Sequence, residues 1–198
     1  FLLQLIACYS LFIDFGFSSA LIFFKDITEE DKSTAFYINA AIGLVLFTSF
    51  WLASPYISDF YGQKELESIV RLSVWSFVFS PLYLVDSALL QKELRFREIT
   101  YITIPSLLLS GFTGIYLALK GYGVYALVYQ TLSFQVLQLI GYKITTRWYP
   151  KTLYSKLSQK KLLNYSLSVL GSRAINYWTR NLDNLLIGRI LGKIDLGI

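Results

Sequence analysis

The chain has 198 residues, of which 55% are hydrophobic and 16% are charged, whereas a soluble domain has about 45–50% and about 25%. Together with a mean hydropathy of +0.50, this composition excludes an ordinary soluble domain and predicts a membrane protein. The sequence contains no His, so it lacks the usual base of a catalytic triad and the usual zinc ligand, and we expect no enzyme. The net charge of +5 is not interpreted as nucleic-acid binding, because the basic residues follow a membrane-topology pattern.

Six apolar segments are each long enough to cross a bilayer as a helix, which needs about 20 residues. In chain order they are residues 1–24, 34–57, 72–90, 99–119, 122–142 and 162–188. The predicted fold is therefore an all-α, polytopic transmembrane bundle. Because the sequence starts with Phe1 and stops at Ile198 inside an apolar pattern, we expect it to be an internal part of a longer chain.

The basic residues are distributed unevenly between the predicted loops. Loops 25–33, 91–98 and 143–161 hold eleven Lys and Arg residues, whereas loops 58–71 and 120–121 hold three. Positively charged loops remain in the cytoplasm of a bacterial cell. Loops 25–33, 91–98 and 143–161 are therefore predicted to be cytoplasmic, and the chain is predicted to start on the outer side.

The sixth segment differs from the others because polar residues follow one side of it. Arg173, Asn176, Arg180 and Asp183 recur at helical spacing, and Tyr177 widens this polar stripe. Charges at the centre of a bilayer cost roughly 2.5–3.5 kcal/mol each, so the stripe is predicted to face a water-filled cavity that takes an anionic or polar solute. Two alternatives stay open: a structural pair between Arg180 and Asp183, and an amphipathic helix lying on the membrane surface.

Two carboxylates lie inside predicted spans, and each is a candidate for coupling to a proton or cation. Asp14 precedes Gly16, where a helix break would let Asp14 cap a second short helix instead. Asp86 lies near the basic loop 91–98, where a plain ion pair with Lys92 or Arg95 is the alternative.

Small and amide side chains suggest how the uncharged spans pack. Ser106, Ser110 and Gly114 recur every four residues and would let another helix approach closely. The amide residues of the fifth span are expected either to line the cavity or to form hydrogen bonds between helices. They are Gln130, Gln135 and Gln138.

Several segments taken together resemble a known family. They are GFSSALIFFKDITEEDKSTAFYIN, FYGQKEL, ALLQKELRF, GYGVYALV and SRAINYWTRNLDNLLIGRILG, in this order along the chain. This pattern resembles bacterial polysaccharide biosynthesis flippases of the O-antigen and exopolysaccharide type, which belong to the multidrug/oligosaccharidyl-lipid/polysaccharide exporter superfamily.

The resemblance implies two six-helix bundles around a central cavity that opens alternately to either side. This chain would supply helices two to seven: residues 1–160 as the first bundle, with 143–161 as the loop between bundles, and residues 162–198 as the first helix of the second bundle. The implied protein is a monomer of the bacterial inner membrane. Its implied cargo is an undecaprenyl-diphosphate-linked oligosaccharide, moved with a proton or sodium gradient and no other cofactor, in contact with membrane lipids and with no nucleic acid.

The resemblance also suggests roles for the polar stripe. Arg173 and Arg180 would contact the diphosphate, Asn176 and Tyr177 the sugars, and Asp183 would tune Arg180 or couple to the ion.

The alternatives to a flippase are a cation-coupled multidrug exporter, a membrane-embedded polymerase or ligase, and a purely structural membrane subunit. A drug exporter would favour an acidic or apolar cavity, and a polymerase would need long outer loops.

Overall fold

The computed structural model describes residues 16–190, and beyond Ser172 it describes only the side chain of Ile175. Within that range the chain is helical and contains no strand, which confirms the all-α prediction. The helices are α1 (Phe17–Phe23), α2 (Glu29–Tyr61), α3 (Glu65–Ser73), α4 (Ser76–Lys92), α5 (Phe96–Leu119), α6 (Val124–Thr146) and α7 (Lys156–Ile190).

Four segments of the described chain are long and apolar enough to cross a membrane. They are α2, the nearly continuous pair α3–α4, α5 and α6. The predicted spans 34–57, 72–90 and 99–119 lie in them, and the predicted span 122–142 does so from Val124 onward. The predicted sixth span lies in α7, which is helical but is not among these four, so its crossing of the membrane stays a prediction.

The outer surface of these helices is strongly apolar. On α5, Leu107, Leu108, Leu109, Phe112 and Ile115 are all more than half exposed. A contiguous apolar surface of this kind is found where lipid, rather than water, surrounds a protein. The chain is accordingly a multi-pass membrane protein.

The helices extend beyond the apolar segments, so four of the five predicted loops were too long, the two longest among them. Loop 58–71 shrinks to residues 62–64, because α2 continues to Tyr61 and ends at Gly62, whose φ of 65° is a common helix stop. Loop 143–161 shrinks to residues 147–155. At the other end of α2, Thr28 and Asp31 form a capping box that starts the helix before its apolar part.

Small residues set the distances between helices. A side chain on Gly43 of α2 would lie 2.3 Å from the carbonyl oxygen of Phe77, so α2 and α4 are in backbone contact there. Gly114 of α5 lies against Gln130 of α6, and Ser106 and Ser110 on the same side are buried. The predicted close approach along Ser106, Ser110 and Gly114 is confirmed, with α6 as the partner.

The three loops predicted to be cytoplasmic lie at one end of the bundle. The Lys151 backbone N–H donates to Ser33 Oγ at 3.1 Å, which joins loop 143–161 to the start of α2. Lys92 Nζ donates to the Leu21 carbonyl at 3.1 Å, which joins the end of α4 to α1. This end is called the loop end below.

Candidate functional site

The most deeply buried charge of the described chain is at the loop end. The carboxylate of Asp86 is fully buried on α4, and it accepts hydrogen bonds from Lys143 Nζ at 2.6 Å and Thr146 Oγ1 at 2.5 Å. Lys143 Nζ also donates to the Trp148 carbonyl at 3.2 Å. The cation that balances Asp86 therefore comes from α6.

The predicted partners of Asp86 are wrong, because both bind elsewhere. Lys92 donates to the carbonyls of Leu21 and Phe24, which the end of α1 leaves without helical partners. Arg95 pairs with Glu98 and Glu93, and these two carboxylates raise the pKa of its guanidinium. Lys92 and Arg95 are both closer to Asp86 in sequence than Lys143 is. However, Lys92 lies on the last turn of α4, and Arg95 lies beyond the end of that helix.

Around this pair, a set of polar side chains binds the loop 147–155 to the bundle. Trp148 Nε1 donates to Glu29 Oε2 at 3.2 Å, and the backbone N–H of Ser155 donates to Thr34 Oγ1 at 3.2 Å. Lys161 Nζ, one turn into α7, reaches Asp31 Oδ2 at 3.3 Å. We call this set the docking network; its side chains are those of Glu29, Asp31, Ser33, Thr34, Asp86, Lys143, Thr146, Trp148 and Lys161.

Aromatic rings complete the surroundings of Lys143. Its Nζ lies 5.2 Å from the centre of the Trp148 ring and 5.6 Å from that of Tyr149. Rings at such distances attract a cation and keep water away from it. The docking network is therefore an arrangement that fixes the loop and the start of α7, and the coupling role predicted for Asp86 stays a prediction.

The first half of α7 packs on the bundle. Leu162 is fully buried, Tyr165 stacks on Phe23 with ring centres 4.5 Å apart, and a side chain on Gly16 would lie 2.9 Å from the Ser166 carbonyl oxygen. Gly16 has a φ of 88° and precedes α1, so a short helix does begin after the predicted break. Asp14 itself lies outside the described residues, and its role stays a prediction.

The polar stripe lies on the second half of α7. The backbone is helical through Ile190, so the helical spacing from which the stripe of Arg173, Asn176, Arg180 and Asp183 was predicted applies to this segment. Tyr177 follows Asn176 on this helix. The side chains of all five lie outside the described part of α7, and their predicted roles remain predictions.

Sequence inspection missed several buried polar atoms of the interior. Asn39 Nδ2 on α2, Ser80 Oγ on α4 and Ser166 Oγ on α7 are buried without a hydrogen-bond partner in the described chain. In the sequence, such an atom is indicated only by a single polar residue inside an uncharged span. A polar residue of this kind does not show whether its position faces the interior or the lipid. Gln135 and Gln138 of α6 are buried as well. Among the side chains that the structure describes, no group of three acidic, Cys or His residues is placed to hold a metal ion.

Comparison with known proteins gives a consistent result along the whole sequence. The chain is 32% identical over 191 residues to the teichuronic acid biosynthesis protein TuaB of Bacillus subtilis, an alignment that covers 94% of this chain and 39% of TuaB. It is 30% identical over 200 residues to the lipopolysaccharide biosynthesis protein WzxC of Escherichia coli, covering 96% of the chain and 39% of WzxC.

A third relative is the succinoglycan biosynthesis transport protein ExoT of Rhizobium meliloti, 25% identical over 185 residues, which are 92% of the chain and 37% of ExoT. The chain thus spans about two fifths of the length of these relatives. No solved structure matches it. Residues 1–198 match the family of polysaccharide biosynthesis proteins from end to end, and the chain belongs to that family.

Proposed function

We propose that this chain is part of a flippase that moves lipid-linked oligosaccharides across the bacterial inner membrane by alternating access. The observation that carries the proposal is the match of the whole chain to polysaccharide biosynthesis proteins, one of which is named a transport protein. The helical, lipid-facing bundle supports it, because moving a lipid-linked glycan requires a protein that spans the bilayer.

The short connections favour transport over polymerisation or ligation. At the end opposite the loop end, the described helices are joined by residues 62–64 and 120–123. A polymerase or ligase would need a larger outer segment to hold its acceptor. This part of the chain offers no room for one.

In the proposed mechanism, the polar stripe of α7 provides the charged wall of the cavity. A lipid diphosphate concentrates negative charge, and Arg173 with Arg180 would form charge-assisted hydrogen bonds to it. Asn176 and Tyr177 would contact sugar hydroxyls, with Asp183 beside Arg180. The docking network supports this role indirectly, because it fixes the start of the helix that carries the stripe.

Export complementation tests the proposal. The full-length gene would be expressed in cells that lack their own polysaccharide flippase, and glycan on the outer surface would be measured. We expect the parent to restore surface glycan and the double variant Arg173→Ala, Arg180→Ala, at matched membrane level, to lose most of it. The matched control is Lys156→Ala, Lys160→Ala, which removes two exposed charges from the same helix outside the stripe.

The outcomes separate the function from its site. Failure of the parent in hosts with several different glycan repeat units would contradict the flippase proposal. Full export by the Arg173→Ala, Arg180→Ala variant would leave the flippase standing and remove the stripe from the mechanism.

A further inference from the structure

A groove of about 360 Å³ opens on the outer surface between α5 and α6. Tyr101, Pro105 and Leu109 line it from α5, and Leu137, Ile140 and Ile144 line it from α6. Most of these side chains also belong to the exposed apolar surface, so the groove opens toward the bilayer.

Two small residues, Gly141 and Ser106, are part of the floor of the groove. Gly141 contributes no side chain, and Ser106 turns its hydroxyl back to the Ile102 carbonyl at 2.7 Å. A side chain on Gly141 would overlap Ile102 of α5, so the two helices are in close contact at the floor of the groove. The polar atoms on the floor are thus already satisfied within the helix, and the remaining surface suits a hydrocarbon chain.

The length of the groove fits one leaflet of a bilayer. Its lining on α5 runs from Glu98 to Leu109, a rise of about 16 Å at about 1.5 Å per residue. The hydrocarbon core of a bilayer is about 30 Å thick, so the groove extends from the loop end to about the midplane. A chain that enters at the loop end therefore belongs to a lipid of that leaflet.

Arg97, which contacts the lining residue Tyr101, places a cation at the loop end of the groove. Arg97 Nε donates to Tyr101 Oη at 3.1 Å, and the guanidinium lies 5.4 Å from the centre of the Tyr101 ring. Among the described residues, Arg97 forms no ion pair. Both carboxylate oxygens of the neighbouring Glu98 are bound by Arg95, at 2.8 and 2.5 Å, which neutralises the only acid on the lining.

From this geometry we infer a lipid site: the groove holds one acyl chain of a membrane phospholipid, and Arg97 binds its anionic headgroup. The site is separate from the polar stripe of α7, and it depends on the chain lying in a membrane, whether or not the protein is a flippase. An anionic phospholipid matches the charge at the entrance, the apolar floor and the single-leaflet length together.

Native mass spectrometry of the purified full-length protein tests the site, by titration with phosphatidylglycerol or phosphatidylcholine that carry identical acyl chains. We expect one tightly retained phosphatidylglycerol. Because one basic residue near an anionic headgroup contributes about 1 kcal/mol, Arg97→Gln should weaken phosphatidylglycerol binding about fivefold and leave phosphatidylcholine binding unchanged. Lys120→Gln is the matched control, since Lys120 lies over Tyr116 at the opposite end of the same helix.

A second pair of variants tests the groove itself. Leu109→Trp fills it and should weaken binding of both lipids, whereas Leu108→Trp, on an equally exposed neighbour outside the lining, should not. All variants are compared at matched size-exclusion profiles.

Three results would overturn the inference. The first is equal retention of phosphatidylglycerol and phosphatidylcholine by the parent. The second is equal lipid binding by the two Trp variants, which is expected if another part of the full-length chain covers the groove. The third is displacement of phosphatidylglycerol by undecaprenyl phosphate at equal concentration, which would assign the groove to an isoprenoid.

Discussion

At the scale of single residues, Asp86 and Lys143 depend on each other. Asp86 is fully buried and Lys143 is mostly buried, so loss of either charge leaves the other without its partner in a low-dielectric environment. Removing one member of such a pair is costly, although replacing both by apolar residues often is not.

We predict that Asp86→Asn lowers the free energy of unfolding by about 3 kcal/mol, measured by SDS titration in mixed micelles. The double variant Asp86→Asn, Lys143→Met should recover a large part of that loss, because no buried charge remains. The control Lys151→Gln breaks an exposed 3.8 Å pair with Glu29 and should cost less than about 1 kcal/mol. An Asp86→Asn protein as stable as the parent would contradict the buried-pair description.

Sequence reasoning identified Asp86 as a charge in need of a cation, but it chose the wrong one. A carboxylate inside an apolar helix is conspicuous, and the nearest basic residues in sequence are the natural first choice. Its true partner is 57 residues away, on a helix whose packing against α4 no local pattern reveals. The contact between Glu29 and Trp148 was hidden for the same reason.

At the scale of helices, the contact between α2 and α4 depends on Gly43. A methyl group there would overlap the Phe77 backbone and approach the Pro81 ring, and the backbone of a packed helix cannot move aside easily.

We predict that Gly43→Ala destabilises the protein by about 1–3 kcal/mol, the usual cost of overpacking. Gly111→Ala on α5 is the control, because nothing lies within 4 Å of its added carbon. Melting followed by tryptophan fluorescence in detergent would compare the two. Equal melting temperatures for both variants would show that α2 and α4 are less closely packed than described.

Helix ends were the least predictable elements, and the reason is physical. Hydropathy detects the part of a helix that lies in lipid, whereas hydrogen bonding continues until a residue stops it. α2 begins at a capping box and ends at a left-handed glycine, both outside its apolar part. The segment TEED before the second span carries this start signal in the sequence, but the apolar run alone does not include it.

At the scale of the whole molecule, the fold class and the grouping of loops were predictable from composition and charge alone. Loops 25–33, 91–98 and 143–161 were grouped by their Lys and Arg content, and the structure brings them to one end. The site was less accessible: the spacing of Arg173, Asn176, Arg180 and Asp183 predicts a shared face, but what this face contacts depends on parts of the fold that spacing does not encode.

We predict that the loop end faces the cytoplasm. In a Cys8→Ala background, Gln63→Cys and Lys120→Cys should react with an impermeant maleimide in intact cells, whereas Lys25→Cys and Arg97→Cys should react only after permeabilisation. All four positions are exposed. Labelling of Arg97→Cys in intact cells would reverse the proposed orientation.

The contact of Lys92 with α1 has a consequence for biosynthesis. α1 has only seven residues, and its last carbonyls accept from a lysine that is made about seventy residues later. Asp86 likewise leaves the ribosome well before Lys143. Unpaired carbonyls and carboxylates are poorly tolerated in hydrocarbon. The helices that carry them therefore stay in a hydrated environment, such as the insertion channel or the headgroup region, until the helices that carry their partners have been synthesised. In each pair, the residue that is synthesised later therefore determines when the earlier helix can enter the bilayer.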